Sequence, residues 1–188
     1  YTVVGTCLSV TLTMLIAYPL SRDKFVLRKF TVILTTIPMW FTGGMIPTFI
    51  LIKNLGMYNT RWAIILLGCI LPWNIIITRT FLRDSIHDSL VDAAFIDGCN
   101  DLQIFAIIVL PLSKAIIAVN VLFYAVNMWN HYFKSMLYLS SADLQPLQIY
   151  LRNILFAAQM IADSGGADSS SGLYLLSEKL KYAVIVFG

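Results

Sequence analysis

Charged residues interrupt this chain rarely, and the gaps between them have a characteristic length. Thr2 to Leu20 contains none, Phe30 to Ile52 contains none, and neither does the slightly short stretch from Trp62 to Thr78. A fourth apolar run extends from about Leu110 to Asn130 with one charge, Lys114, near its start. A bilayer core of about 30 Å needs roughly 20 apolar residues at a helical rise of about 1.5 Å each, so each run predicts a membrane-spanning helix. An ionised Lys costs about 2.5 to 3.5 kcal/mol at a helix centre, but near an end its stem reaches the headgroups. The fourth span therefore stands. A fifth run opens near Tyr182 and reaches the last residue, and residue 1 is a Tyr that leads directly into the first run. The chain reads as an internal piece of a longer membrane protein.

Orientation follows from the short connections. Residues 21–29 hold Arg22, Lys24, Arg28 and Lys29, and the segment from 79 holds Arg79 and Arg83, whereas residues 53–61 have only Lys53 and Arg61. Positive charge collects on the cytoplasmic side, which puts residues 21–29 and 79–110 inside and residues 53–61 and the stretch beyond Asn130 outside. Composition agrees: 59% of the residues are hydrophobic and 12% charged, with a mean hydropathy of +0.79, against about 45–50% and about 25% in soluble domains. That shortage of charge excludes an ordinary cytosolic enzyme, a disordered tail and a collagen-like fibre. A net charge of +3 is too small to suggest nucleic-acid binding. Cys7, Cys69 and Cys99 lie far apart and read as small apolar fillers, not as a metal or disulfide site.

The spans are not uniform rods. Pro38, Gly43, Gly44 and Pro47 interrupt the second, Pro72 and Asn74 the third, and Asn120 and Asn127 lie in the fourth. Such residues permit close helix contact or local breaks. Each alone reads as packing or a kink; together they suggest helices lining a water-filled pathway.

The segment from Arg83 to Pro111 is the most structured non-membrane part. Ser85 to Asp88 has the S-x-x-D spacing of an N-terminal cap. A helical run follows, with Gly98 placed to end it in the left-handed conformation, and Asn100 with Gln103 repeats the capping spacing before a second helix ending at Leu110-Pro111. The expectation is helix, Gly turn, helix, with small Ala93 and Ala94 between Leu90 and Ile96 allowing another protein to approach closely.

Asp92-Ala-Ala-Phe-Ile-Asp-Gly98, followed by Ile108-Val-Leu-Pro111, resembles the EAA loop of bacterial ATP-binding-cassette importer permeases, the MetI-like transmembrane family. The chain matches the pattern at Ala93, Ala94, Asp97, Gly98, Ile108, Leu110 and Pro111, and departs from it at Asp92, where Glu is usual, and at Cys99, where Ala is common. The resemblance extends further. Ala17-Tyr-Pro-Leu-Ser-Arg22 is similar to a segment of sugar-importer permeases, while residues 43–47, 55–62 and 143–148 resemble the branch for complex carbohydrates and aldouronates.

This resemblance implies an all-α polytopic helix bundle. Residues 1–188 would be a single MetI-like domain cut at both ends, carrying spans two to five and the start of six, with residues 79–111 as its cytoplasmic coupling loop. It implies a carbohydrate importer subunit in the bacterial inner membrane, partnered by a second permease, two cytoplasmic ATPase subunits and an extracytoplasmic solute-binding protein. The helix from Asp92 to Asp97 would dock on the ATPase and move as a lever. No G-x-x-x-x-G-K-[ST] loop is present, so ATP hydrolysis is expected from a separate subunit, with no cofactor, metal or catalytic residue in this chain.

For the substrate path the best candidates are Asn127, Trp129, Asn130 and Tyr132, since aromatic faces stack on sugar rings and amides exchange hydrogen bonds with hydroxyls; the competing reading is an aromatic belt at the outer interface. Residues 164–172 read as a flexible Gly/Ser linker. Two further readings stay open: a self-sufficient secondary transporter or channel, which needs ionisable groups inside the spans, and an importer permease for a non-sugar solute.

Overall fold

The computed structural model describes residues 1–23, 25–153 and 156. Lys24, the Gly/Ser segment 164–172 and the run from 182 lie outside them. Among the described residues every regular element is helical. The first compact unit, Tyr1–Asn130, contains α1 (Thr2–Ser21), α2 (Arg28–Trp40), α3 (Met45–Asn54), α4 (Arg61–Gly68), α5 (Pro72–Ser85), α6 (Asp88–Ile96), α7 (Asp101–Ile104), α8 (Leu110–Leu112) and α9 (Lys114–Trp129), with a π-helical stretch, Phe105–Val109, joining α7 to α8.

Helix α1 is by itself long and apolar enough to cross a membrane, and it is the post against which the unit packs. Gly5, Ser9, Thr13, Ala17 and Ser21 recur at intervals of four and are all buried. This stripe of small side chains lets neighbouring backbones come close, as membrane helices require when lipid supplies no hydrophobic drive. Against it lie α5 and α9.

The other spans are bent pairs, not the continuous helices expected from the apolar runs. Helices α2 and α3 meet at 118°, α4 and α5 at 47°, and Asp101–Leu112 meets Lys114–Trp129 at 80°. Each break has a local cause. Gly44 sits at φ +81°, a left-handed conformation that a side chain disfavours, so the second run turns at 41–44. Pro72 lacks an N–H, and its ring excludes the carbonyl four residues back, which separates α4 from α5. Pro111 likewise cannot donate to Ile107, and the helix widens into its π turn just upstream before stopping at Ser113. Only the first residues of the fourth run thus belong to the segment that begins at Asp101; the rest is α9.

The second unit, His131–Gly188, shows α10 (Tyr132–Tyr138), a 3-10 turn at Ala142–Leu144 and helical backbone over 147–153. Within it the Arg152 guanidinium lies over the Tyr132 and Phe156 rings, 5.5 and 4.6 Å from their centroids.

Candidate functional site

The segment 79–111 folds as helix, turn, helix, and its details separate what the sequence determines locally from what packing decides. Ser85 does not cap α6. It is the last residue of α5, and His87 occupies the N-cap position without a side-chain bond. The reason lies in Ile86, which is extended and only 2% exposed: burying that side chain fixes where α5 ends, and the S-x-x-D spacing falls two residues early. At the other end of α6, Gly98 adopts φ +85°. Its N–H donates to the Phe95 carbonyl (3.1 Å) and the Cys99 N–H donates to that of Ala94 (3.0 Å), the bond pair of a Schellman turn. The capping box forms as its spacing predicts: the Leu102 and Gln103 N–H groups donate to Asn100 Oδ1 (2.8 and 3.2 Å), and the Asn100 N–H donates to Gln103 Oε1 (2.9 Å).

Helix α6 lies on a core drawn from α1, the end of α5 and the segment after Gly98. Val91 and Ala94 pack with Met14 and Ala17 of α1, Leu82 and Ile86 at the end of α5, and Ile104 and Val109 of the following segment; Ile108 and Leu110 are half-buried against the same cluster. The motif residues are therefore split. Ala94, Ile108 and Leu110 serve the chain's own packing, so the expectation that Ala94 presents itself to a partner is corrected. Asp92, Ala93, Asp97, Gly98 and Pro111 are exposed. Ile96 is 87% exposed and Phe95 44%, an apolar edge beside carboxylates, the kind of surface that meets another protein.

Charged side chains tie this hairpin to the neighbouring connection. Arg22 Nη1 donates to Asp88 Oδ1 at 3.1 Å, Asp23 accepts from Arg28, and Arg83 Nη2 lies 3.7 Å from Asp23. Arg79 Nε donates to the Leu20 carbonyl at 3.0 Å. The two basic connections, 21–29 and 79 onward, thus lie at one end of the unit, as the charge pattern requires. The Arg22 guanidinium also stacks on Tyr18, 5.3 Å from the ring centroid. A cleft of about 620 Å³ opens here between the end of α1 and the α6–α7 hairpin, lined by Tyr18, Arg22, Asp88, Asp92, Phe95 and Phe105 among others. The Arg22–Asp88 link was missed in the sequence, although Arg22 closes the quoted A-Y-x-L-S-R segment.

The substrate-path candidates fall in both units. Asn127 is half-buried on α9 and its Oδ1 has no hydrogen-bond partner; Trp129 (42% exposed) and Asn130 end that helix. Tyr132 belongs to the second unit, beside Arg152. Next to it in the chain, His131 is buried with Nε2 3.2 Å from Lys134 Nζ. Burial and then the Lys134 charge push its imidazole down to about 4, which keeps it neutral near pH 7. Among the described residues no cluster of three or more His, Cys, Asp or Glu could hold a metal.

Comparison with known proteins follows the same outline. The chain is 44% identical over 186 residues to the polygalacturonan/rhamnogalacturonan transport system permease protein YtcP of Bacillus subtilis (strain 168), covering 98% of this chain and 64% of the relative. It is 39% identical over 185 residues to protein LplC of the same organism, covering 98% and 62%. The chain thus spans less than two thirds of the length of these relatives. In three dimensions it superposes, with a TM-score of 0.84 and 32% identity over 100% of its length, on 66% of a chain in the crystal structure of a bacterial ABC transporter involved in the import of the acidic polysaccharide alginate. The family model described as the inner membrane component of binding-protein-dependent transport systems matches residues 9–172. This chain, helical in every regular element among its described residues, belongs to that family.

Proposed function

We propose that this chain acts as a permease subunit of an ATP-driven, binding-protein-dependent importer for oligosaccharides or related carbohydrates in the bacterial inner membrane. The observation that carries the reading is the two-sided build of α6: its inner face is locked onto α1, α5 and the segment after Gly98, while Asp92, Ala93, Ile96 and Gly98 stay exposed. A helix so mounted transmits a push at its outer face to α1, α5 and the segment after Gly98 at once, which is what a lever between two states needs.

In this reading residues 79–111 form the coupling loop of one MetI-like domain. Asp92, Ala93, Asp97 and Gly98 meet an ATPase subunit, and Ala94, Ile108, Leu110 and Pro111 hold the loop's shape. One such chain supplies half a pathway, so a second permease, two ATPase subunits and an extracytoplasmic binding protein complete the machine. Asn127, Trp129, Asn130 and Tyr132 are the proposed sugar contacts. The carbohydrate class is supported by relatives named for polygalacturonan/rhamnogalacturonan and for galactooligosaccharides, the latter 38% identical over 63% of this chain. Reconstitution of the full-length transporter tests the reading: sugar-loaded binding protein should accelerate ATP hydrolysis, and Gly98→Pro should abolish that acceleration while the subunit still inserts in the membrane. Unchanged stimulation in that variant contradicts the coupling assignment.

A further inference from the structure

Midway along the spans, one hydroxyl joins three of them. Tyr124 of α9 is fully buried, and its Oη lies 2.6 Å from Oγ1 of Thr13, a fully buried residue on the small-residue stripe of α1. The same oxygen accepts the backbone N–H of Leu71 at 3.3 Å. Leu71 is the N-cap of α5, at the 47° break between α4 and α5, and no side chain of its own neighbourhood caps that helix end. The first N–H groups of any helix lack intrahelical partners, and in a bilayer no water replaces them. Tyr124 supplies the partner from another helix. A phenol can accept and donate at once, so Tyr124 Oη takes the Leu71 N–H while sharing with Thr13 Oγ1 a hydrogen bond in which either hydroxyl can donate. About one turn along α9 and two along α5, Asn120 Nδ2 donates to Thr78 Oγ1 at 2.7 Å, so α9 holds α5 on the inner side of the break as well as at it.

We propose that Tyr124 is a positioning residue that fixes the bend of the α4–α5 span, and that its hydroxyl determines how motion at the coupling loop reaches the outer half of that span. The inference rests on the permease reading. Helix α5 ends at the α6 hairpin and starts just after its N-cap, Leu71, so any displacement of α6 is delivered to this break. With the hydroxyl in place, α4 and α5 turn as one bent body attached to α1; without it the break becomes a loose joint that absorbs the movement.

The test uses the full-length reconstituted transporter with its ATPase and binding protein. Spin labels at Trp62→Cys and Thr80→Cys, both exposed positions on either side of the break, read the bend in a background carrying Cys7→Ser, Cys69→Ala and Cys99→Ala. Tyr124→Phe keeps the ring and removes the hydroxyl; Thr13→Val removes the second partner, and Thr13→Ser retains it. The expected result is a broadened label distance in Tyr124→Phe and Thr13→Val, with the ratio of sugar-stimulated to basal ATP hydrolysis lowered at least threefold, and both restored to the parental values in Thr13→Ser. An unchanged distance distribution and an unchanged ratio in Tyr124→Phe overturn the proposal. If the parental complex itself shows no stimulation, the permease reading fails instead, and the label distances alone then decide whether Tyr124 sets the bend.

Discussion

Helices α1 and α2 are both apolar, yet they use their apolarity in opposite ways. Eight residues of α1 are buried, and the most deeply enclosed are small or polar: Ser9, Thr13 and Ala17. None of α2 is buried, and Phe30, Ile33, Leu34, Ile37 and Trp40 are all well exposed. In water such a distribution would be inverted. In a bilayer it is what physical chemistry expects, because large aliphatic side chains gain nothing by leaving lipid and contact is won by backbones that approach closely. Helix α1 therefore serves as the internal post, while α2 and α3 offer their surface to lipid or to another chain.

Substitutions can break this contrast in graded steps. Ser9→Leu forces a large side chain into the fully enclosed stripe; overpacking of this kind costs about 1–3 kcal/mol, and thermal unfolding in detergent should show the largest drop of the series, with failure to fold as the extreme. Gly98→Ala is next. A Cβ there meets nothing within 4 Å, so its whole cost comes from the left-handed backbone, about 1–2 kcal/mol, read as a lower unfolding midpoint and a weaker coupling ratio. Gly5→Ala should cost less, since the new Cβ would sit 3.0 Å from Met128 Sδ and 3.1 Å from its Cε, a flexible side chain that can shift. On the other helix, Ile37→Ala should leave the midpoint within about 0.5 kcal/mol of parental stability. A large loss there would mean that α2 packs inside the subunit after all.

What the sequence made legible was local. The Gly98 turn and the Asn100–Gln103 box involve residues a few positions apart whose chemistry fixes the geometry, and both form as their spacing predicts. Ser85 failed as a cap because a residue beside it, Ile86, is held by a core that no local pattern displays. The Pro and Gly interruptions identified where spans two and three are broken, but not the angles, which depend on what each half packs against; the break at Ser113 in the fourth lies away from Asn120 and Asn127, the residues singled out there. Ala93 and Ala94 look interchangeable in the sequence; only the position of the Val91–Ala94 face against α1 tells inside from outside. The stripe at 5, 9, 13, 17 and 21 was readable as a four-residue period of small side chains, a signal hidden by attention to the apolar residues between them. Tyr124 carried no such signal, since its role depends on a backbone N–H exposed by a proline in another helix.

Adjacent alanines give the sharpest test of the coupling surface. With the transporter assembled in cell membranes, a short photoreactive crosslinker on Ala93→Cys, in a background free of the native cysteines, should capture the ATPase subunit, whereas the same label on Ala94→Cys should not, because Ala94 is 5% exposed and faces the subunit's own core. Capture of the ATPase from position 93 alone is the result the account predicts. No capture from position 93 in a transporter that still imports its substrate would contradict it.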